Sequence, residues 1–264
     1  MATDSRTVKS VERTTEIITE LRILGGGTVT ELAERTDLSI GSIHSHLSTL
    51  RHAGYVVKDG KTYDLGPRLL TLGEYVRNHS ELYKASKPQI EELATQTGEC
   101  AHLIIKHESK LFALYERFGS NAVGVEYHDR KREKPLSHLH CTAAGKSILA
   151  TLSHEQVAAI ASETGLSQST RNTITDEEQL FQELEDVRDK GYAIADEEQM
   201  EGIRAVGAAI EGTDRKAVGA VALSGPTARF VDDQFQEEFP ERVMRAANIC
   251  EVNLRTIKED QYDI

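Results

Sequence analysis

The 264-residue chain contains no tryptophan, only three cysteines and 5% aromatic residues. Cys100, Cys141 and Cys250 lie far apart and form no CxxC pair, which argues against a disulfide framework and against a cysteine zinc cluster. The longest apolar stretches, such as 217–223, are far shorter than the roughly 20 residues that span a bilayer. The charged N-terminal segment lacks the apolar centre of a secretory signal. These absences predict a cytoplasmic protein that does not enter a membrane.

Charge is divided unevenly along the chain. Residues 1–77 carry ten basic and ten acidic side chains, so the remaining 187 residues, with 21 against 33, account for the whole net charge of −12. An acidic body repels DNA, whereas a neutral segment can bring a few cations up to phosphate. The charge division therefore predicts two parts with different partners.

The first part has the pattern of a winged helix-turn-helix. Apolar residues recur at near-helical spacing over 8–24, and three glycines at 25–27 end that helix. Thr30 is the predicted N-cap of a short second helix, and Ser39 that of a third helix running to about residue 52. An Asp-Gly turn within 58–61, between β-prone runs, predicts a hairpin. Three helices followed by a hairpin define the winged fold.

The third helix has two chemically different faces. Ile40, Ile43, Leu47 and Leu50 form a stripe that we expect to face the core, and small polar side chains occupy the opposite face. Hydroxyl and imidazole groups can reach base edges or phosphates, and nearby cations can bind phosphates. The predicted DNA-contacting residues are Ser39, Gly41, Ser42, Ser45, His46, Thr49, Arg51, His52, Lys58 and Lys61.

Few cations imply weak binding by a single copy, so double-stranded DNA should be bound by a homodimer. Winged domains also dock proteins, which is the alternative for this segment. The apolar residues between Leu69 and Tyr83 fall near a/d spacing, which predicts a linker helix that pairs with another helix.

The rest of the chain alternates between helical and strand-like patterns, which predicts a mixed α+β domain. Strands are expected at 101–106, 111–116, 122–127, 192–195, 205–210 and 217–223, and helices at 143–152, 153–164, 176–190 and 240–257. The predicted organisation is a winged helix-turn-helix at 1–66, a linker helix at 67–83 and a C-terminal domain at 84–264.

Three catalytic motifs fail on inspection. The run Ala-Gly-Lys-Ser at 144–147 would need glycine where His140 stands to form a phosphate-binding loop. A zinc-protease motif starting at 154 has Ala158 in place of its second histidine. Ser224 lacks the flanking glycines of a nucleophile elbow, since Ala222 and Pro226 occupy those positions. The sequence therefore predicts no enzyme and no cofactor.

One segment keeps two alternatives open. Cys141 with His138 or His140 could serve a small-molecule enzyme, although these residues and His128 make no complete set of metal ligands, so no metal is predicted. The helix start at 142–146 favours a carboxylate or phosphate ligand through its backbone N–H groups. An ordinary capped helix explains the same residues.

Several motifs in order carry a family resemblance. They are Thr-Glu-Leu-Ala at 30–33 through Ser-Thr-Leu at 48–50, Gly-Tyr-Val at 54–56, the run 139–150, Leu-Glu-Asp-Val-Arg at 184–188, Gly-Tyr-Ala at 191–193, Glu-Glu at 197–198 with Gly202, and Leu-Ser-Gly-Pro at 223–226. Over nearly its full length the chain resembles the IclR family of bacterial and archaeal transcriptional regulators.

The resemblance implies a GAF-like C-terminal domain that binds a small-molecule effector, often an organic or aromatic acid, in a dimer or a dimer of dimers. The effector-binding residues that it implies are Cys141, Thr142, Ala143, Gly145, Asp196, Glu198, Ala205, Ala222 and Ser224. Ala205 and Ala222 replace residues that are often polar in the family, which disfavours a very small polar acid.

Overall fold

The computed structural model describes residues 7–123, 138–231 and 233–262, with side chains to residue 257. The chain divides into two compact units, residues 1–77 and 78–264, and each has its own hydrophobic core. In the described ranges, no helix is both long and apolar enough to cross a bilayer. His128 and most of the predicted strand at 122–127 lie outside these ranges.

The first unit is a winged helix-turn-helix, as the sequence predicts. Its elements are α1 (Lys9–Leu24), β1 (Gly27–Thr28), α2 (Val29–Arg35), α3 (Ile40–His52), β2 (Val56–Asp59), β3 (Thr62–Leu65) and all but the last two residues of α4 (Arg68–His79). The strands form an antiparallel sheet in the order β1-β3-β2, in which Asp59 pairs with Thr62 at the predicted turn. Side chains from α1, α2, α3 and the hairpin make one core.

Local capping signals set the helix boundaries. Gly25 adopts a left-handed conformation that ends α1, and the Ser39 hydroxyl caps α3. The predicted cap at Thr30 is wrong: Thr28 caps α2 and forms a capping box with Glu31. Helix α2 starts early because residues 27–28 pair with β3, so the chain enters the helix directly from a strand.

The apolar pattern overestimates burial at two helix starts. Val8 and Val11 are 60% and 58% exposed, and Ile40 is 59% exposed, whereas Ile17 and Leu21 are fully buried. The predicted stripes are correct in the middle of α1 and α3, where the two helices meet the core. The first turns of each helix leave their apolar side chains in solvent.

The second unit contains a five-stranded antiparallel sheet in the order β5-β4-β8-β7-β6. Its elements are α5 (Glu81–Thr97), β4 (Cys100–His107), β5 (Lys110–Phe118), a 3-10 turn (Leu139–Cys141), α6 (Ala143–Ala150), α7 (His154–Thr164), α8 (Glu177–Lys190), β6 (Ala193–Asp196), β7 (Ile203–Glu211), β8 (Ala217–Pro226), a π-helical turn (Gln234–Glu238) and α9 (Phe239–Tyr262). Helices α5 and α9 cover one face, and α6 and α8 cover the other. The predicted mixed α+β domain is confirmed.

Helix α6 lies directly against the sheet, and all eight of its residues are buried. A β-carbon at Gly207 of β7 would lie 2.6 Å from the carbonyl carbon of Ala143, and one at Gly145 would lie 2.2 Å from the Leu139 carbonyl oxygen. Neither distance is physically possible, so both glycines are required for the close approach of backbone to backbone.

Candidate DNA-binding and effector-binding sites

The predicted DNA-contacting residues lie mainly on exposed surface of the first unit. Ser39 stands at the start of α3, Gly41, Ser45 and Thr49 are exposed along it, and Ser42 is half-buried. The exposed residues beyond the helix centre are Arg51, His52, Lys58 and Lys61. This face combines small side chains along the helix with cations at its end and on the hairpin.

Both central hydroxyls of this face bind their own helix. The Ser45 hydroxyl donates to the Gly41 carbonyl at 2.9 Å, and the Thr49 hydroxyl donates to the Ser45 carbonyl at 3.0 Å. In this arrangement their oxygens remain available as acceptors, which match the amino groups of adenine and cytosine in the major groove. Rotation about the C–O bond of either side chain would let its hydroxyl donate to DNA instead of to the helix carbonyl.

Three residues of α3 differ from their expected positions. The imidazole Nδ1 of His46 lies 2.9 Å from the Thr14 hydroxyl, so this half-buried side chain is turned towards α1. His44, which is not among the predicted DNA-contacting residues, is exposed, and so is Ile40, which the apolar stripe assigns to the core. The open face of α3 therefore includes an imidazole and a branched apolar side chain that the helical pattern placed elsewhere.

In the second unit, three of the predicted effector-binding residues share one face of the sheet. Ala205 of β7 pairs with Ser224 of β8, which pairs with Cys100 of β4. Ala222 lies two residues before Ser224, so its side chain points to the same face. This face is the one that α6 covers.

His102 joins Ser224 to a carboxylate on this face. Its Nε2 atom lies 2.7 Å from Ser224 Oγ, and its Nδ1 atom lies 2.6 Å from Glu116 Oε1. Burial alone would lower the pKa of His102, but the Cys100 sulfur and the Glu116 carboxylate outweigh burial and raise it to about 10. The raised pKa favours the protonated imidazole, in which both ring nitrogens donate, and the Ser224 hydroxyl can then donate its proton to another acceptor.

The serine, histidine and glutamate have the connectivity of a catalytic triad. However, the raised pKa of His102 disfavours it as a general base towards Ser224, because a protonated imidazole cannot accept a proton. The other enzymatic alternative is also unsupported, since the Cys141 thiol donates to the His138 carbonyl at 3.6 Å and His140 Nε2 lies 3.2 Å from the Ser167 carbonyl. These contacts direct the Cys141 thiol and the His140 imidazole to backbone carbonyl groups.

Asp196 does not join the other predicted effector-binding residues. Its carboxylate forms two hydrogen bonds with Arg204, whose guanidinium lies over Phe235 and also donates to the Phe230 carbonyl. Both phenylalanines belong to the core under α9, on the opposite face of the sheet from Ser224. Asp196 follows Ala195, the partner of Ala205, so strand alternation turns the Asp196 side chain away from Ser224.

The start of α6 serves packing more than ligand contact. The Gly145 N–H donates to the Thr142 hydroxyl, so it is not free for an anion. The ammonium group of Lys146, only 1% exposed, binds Glu183 at 2.6 Å and Glu198 at 2.7 Å. Burial raises the pKa of Glu198, and Lys146 opposes that rise. Glu198 thus belongs to a buried ion pair behind the helix start.

Sequence reasoning missed Cys100, His102 and Glu116. The alternation Cys-x-His within a β-prone run was a usable signal, because such residues point to the same face of a strand. Glu116 could not be added without the strand register, which pairs it with His102. Lys146 and Glu183 were likewise missed as a pair, since 37 residues separate them.

The fold defines the chain as a winged helix-turn-helix protein with a second domain built on an antiparallel sheet. Residues 10–60 match the IclR helix-turn-helix domain, and residues 74–251 match the family described as bacterial transcriptional regulator IclR, C-terminal. The chain belongs to the IclR family of transcriptional regulators, with an N-terminal DNA-binding domain and a C-terminal effector domain, and it is not an enzyme.

Known regulators are similar to this chain over most of its length. A probable HTH-type transcriptional regulator ArcR of Halobacterium salinarum is 40% identical over 96% of each chain. The transcriptional repressor IclR of Escherichia coli is 28% identical over 84% of this chain and 81% of the relative. Among solved structures, the Thermotoga maritima IclR has 26% identity and a TM-score of 0.73, covering 93% of this chain and 98% of the other.

Proposed function

We propose that this protein is a cytoplasmic, dimeric or tetrameric regulator that binds near-palindromic operators through α3 and is controlled by a small molecule, such as an organic acid, in a GAF-like C-terminal domain. The observation that carries the DNA-binding half is the exposed polar face of α3 on a charge-balanced unit of an acidic chain. Two symmetric copies would read half-sites one helical turn apart, or a multiple of it.

Selection of bound duplexes from a random DNA pool by the purified protein should return a near-palindromic site. Ser45→Glu and Thr49→Glu should each abolish binding to that site, because a carboxylate on the groove-facing side of α3 is repelled by phosphates. Binding is measured by fluorescence anisotropy across a salt series.

The matched control is Thr95→Glu, which changes the charge equally. Thr95 is an exposed helical threonine of the second unit whose hydroxyl bonds the carbonyl four residues earlier, as that of Thr49 does. The Thr95→Glu variant should leave operator affinity unchanged. Failure to enrich any sequence, or normal operator binding by both α3 variants, would refute the proposal that this face of α3 contacts DNA.

Ile40 extends this surface with an apolar contact. Its side chain is 59% exposed at the first residue of α3, and base contact by a recognition helix is concentrated near its N-terminus. The neighbouring residues 41–50 include no arginine, lysine, asparagine or glutamine. An apolar side chain at this position suits the methyl group of thymine.

Replacing each thymine of the selected operator in turn by deoxyuridine should therefore identify one position in each half-site whose methyl group contacts Ile40. Loss of that methyl group should weaken binding about fourfold, which corresponds to about 0.8 kcal/mol. With Ile40→Ala the same replacement should have no effect. A methyl dependence that persists in the variant would assign the contact to another residue.

Helix α4 supports the assembly of two copies. Every residue of this helix is at least partly exposed, and Leu70, Tyr75 and Val76 are exposed by 61–69%. Leu69, Leu72 and Val76 follow the three- and four-residue spacing of a helix-pairing stripe. Burying this stripe against its copy removes apolar surface from water, which favours a homodimer.

The double substitution Leu72→Glu with Val76→Glu should separate the copies, because it brings four carboxylates into a symmetric contact. Sedimentation equilibrium should show the mass of one chain, and operator affinity should fall by at least about 100-fold as the two half-sites lose their linkage. Thr71→Glu, on the other side of α4, should leave the mass and the affinity unchanged. An unaltered mass for the double variant would place the contact elsewhere.

The effector half of the proposal is supported by the sheet face under α6. Ser224 receives a hydrogen bond from His102 there and can donate its own proton to a ligand acceptor. Ala205 and Ala222 share this face with Ser224, and each presents only a methyl group there. An effector can control DNA binding only through a difference in affinity between two arrangements of the protein.

A panel of carboxylic acids titrated against the operator complex should include one that changes its affinity. Ser224→Ala should raise the concentration for half effect about tenfold or more, as expected for a hydrogen bond to a charged group. Ser109→Ala is the control, because this buried hydroxyl donates instead to Glu163. An equal response of both variants would exclude Ser224 from the site.

A further inference from the structure

Three side chains with metal-binding atoms come together on the hairpin of β4 and β5. Cys100 and His102 alternate along β4 and therefore point to the same face, and Glu116 pairs directly with His102 across the ladder. The Cys100 sulfur, the His102 Nδ1 and a carboxylate oxygen of Glu116 all lie within 4.8 Å of one another. The backbone register alone brings these three ligand types together.

The cluster is buried and partly preformed. Cys100 is 2% exposed, and the side chains of His102 and Glu116 are 10% and 6% exposed. The sulfur lies 3.9 Å from His102 Nδ1. Two such atoms bound to one tetrahedral zinc ion are separated by about 3.6 Å, given bonds of about 2.3 and 2.05 Å. The observed spacing is close to this value.

The second nitrogen of His102 is already held in the manner of a metal ligand. Metal-bound imidazoles donate their other N–H to an oxygen nearby, which fixes the ring orientation. Here Nε2 lies 2.7 Å from the Ser224 hydroxyl, so Nδ1 is the atom directed at Cys100 and Glu116. Nδ1 and Glu116 Oε1 are 2.6 Å apart, which is closer than two ligands of one tetrahedral ion, so the carboxylate would shift outward by a small distance when an ion binds.

We propose that Cys100, His102 and Glu116 form a binding site for a zinc-class divalent cation. A thiolate, an imidazole and a carboxylate together suit zinc or cobalt and do not suit magnesium or calcium, which prefer oxygen ligands alone. Three protein ligands leave a fourth position for water or for an oxygen of a bound molecule. The site borders Ser224, but the inference does not rest on the effector proposal, since the ion alone is the ligand.

Cobalt(II) titration of the metal-free, full-length protein tests the site directly. One equivalent should bind, with the near-ultraviolet charge-transfer band of a cobalt–thiolate bond. Cys100→Ser should abolish the band, and His102→Gln and Glu116→Gln should each weaken cobalt binding more than about 100-fold, since loss of even an outer-shell partner costs 10–100-fold. Zinc should displace the cobalt and remove the band.

Cys250→Ala is the matched control, because this buried thiol belongs to the core under α9 and should not affect the band. Thermal unfolding of each metal-free variant separates loss of binding from loss of fold. If the Cys100 variant does not fold, the His102 and Glu116 variants, which keep the Cys100 sulfur, still test the site. The absence of a thiolate band with wild-type protein overturns the proposal. So does a band that survives Cys100→Ser or disappears with Cys141→Ala instead.

Discussion

The antiparallel register of β5, β4 and β8 is the constraint on which the second unit depends. It places His102 between Glu116 on one side and Ala222 on the other, with Cys100 beside Ser224 in the next row. Because Ala222, opposite His102, has only a methyl group, the His102 imidazole can reach across to Ser224. A one-residue shift of β4 would turn Cys100 and His102 into the core under α5 and α9.

The close approach of α6 depends on the same sheet. The missing β-carbon of Gly207 admits the backbone of the helix start, and Gly145 fits against the Leu139 carbonyl. The buried ammonium of Lys146 is then neutralised by Glu183 and Glu198, because an unpaired charge at 1% exposure would be strongly destabilising. Residues that resemble a phosphate-binding motif in the sequence therefore serve to anchor a helix.

The DNA-binding unit offers few groups that could bind DNA strongly. Its charge is balanced, and α3 carries hydroxyls, imidazoles and one exposed isoleucine where a cation or an amide would give stronger contacts. In the proposed dimer, modest contacts per copy make affinity depend on joining two copies, and the exposed apolar residues of α4 are the proposed contact surface. Under the same proposal, a ligand that changes how the two copies are joined would change operator affinity.

The sequence by itself determined the local features: the capped helices, the Asp-Gly hairpin, most strand positions and the family, because each depends on residues close together in the chain. It assigned Ile40 to the core, and it did not reveal the contact of His46 with Thr14 or that of Asp196 with Arg204, since burial at a helix start and the facing of a strand depend on neighbours far along the chain. Only the tertiary structure brought His102 to Ser224, 122 residues away, and to Glu116. Strand pairing decides such contacts, and no local periodicity encodes which strands pair or in which register.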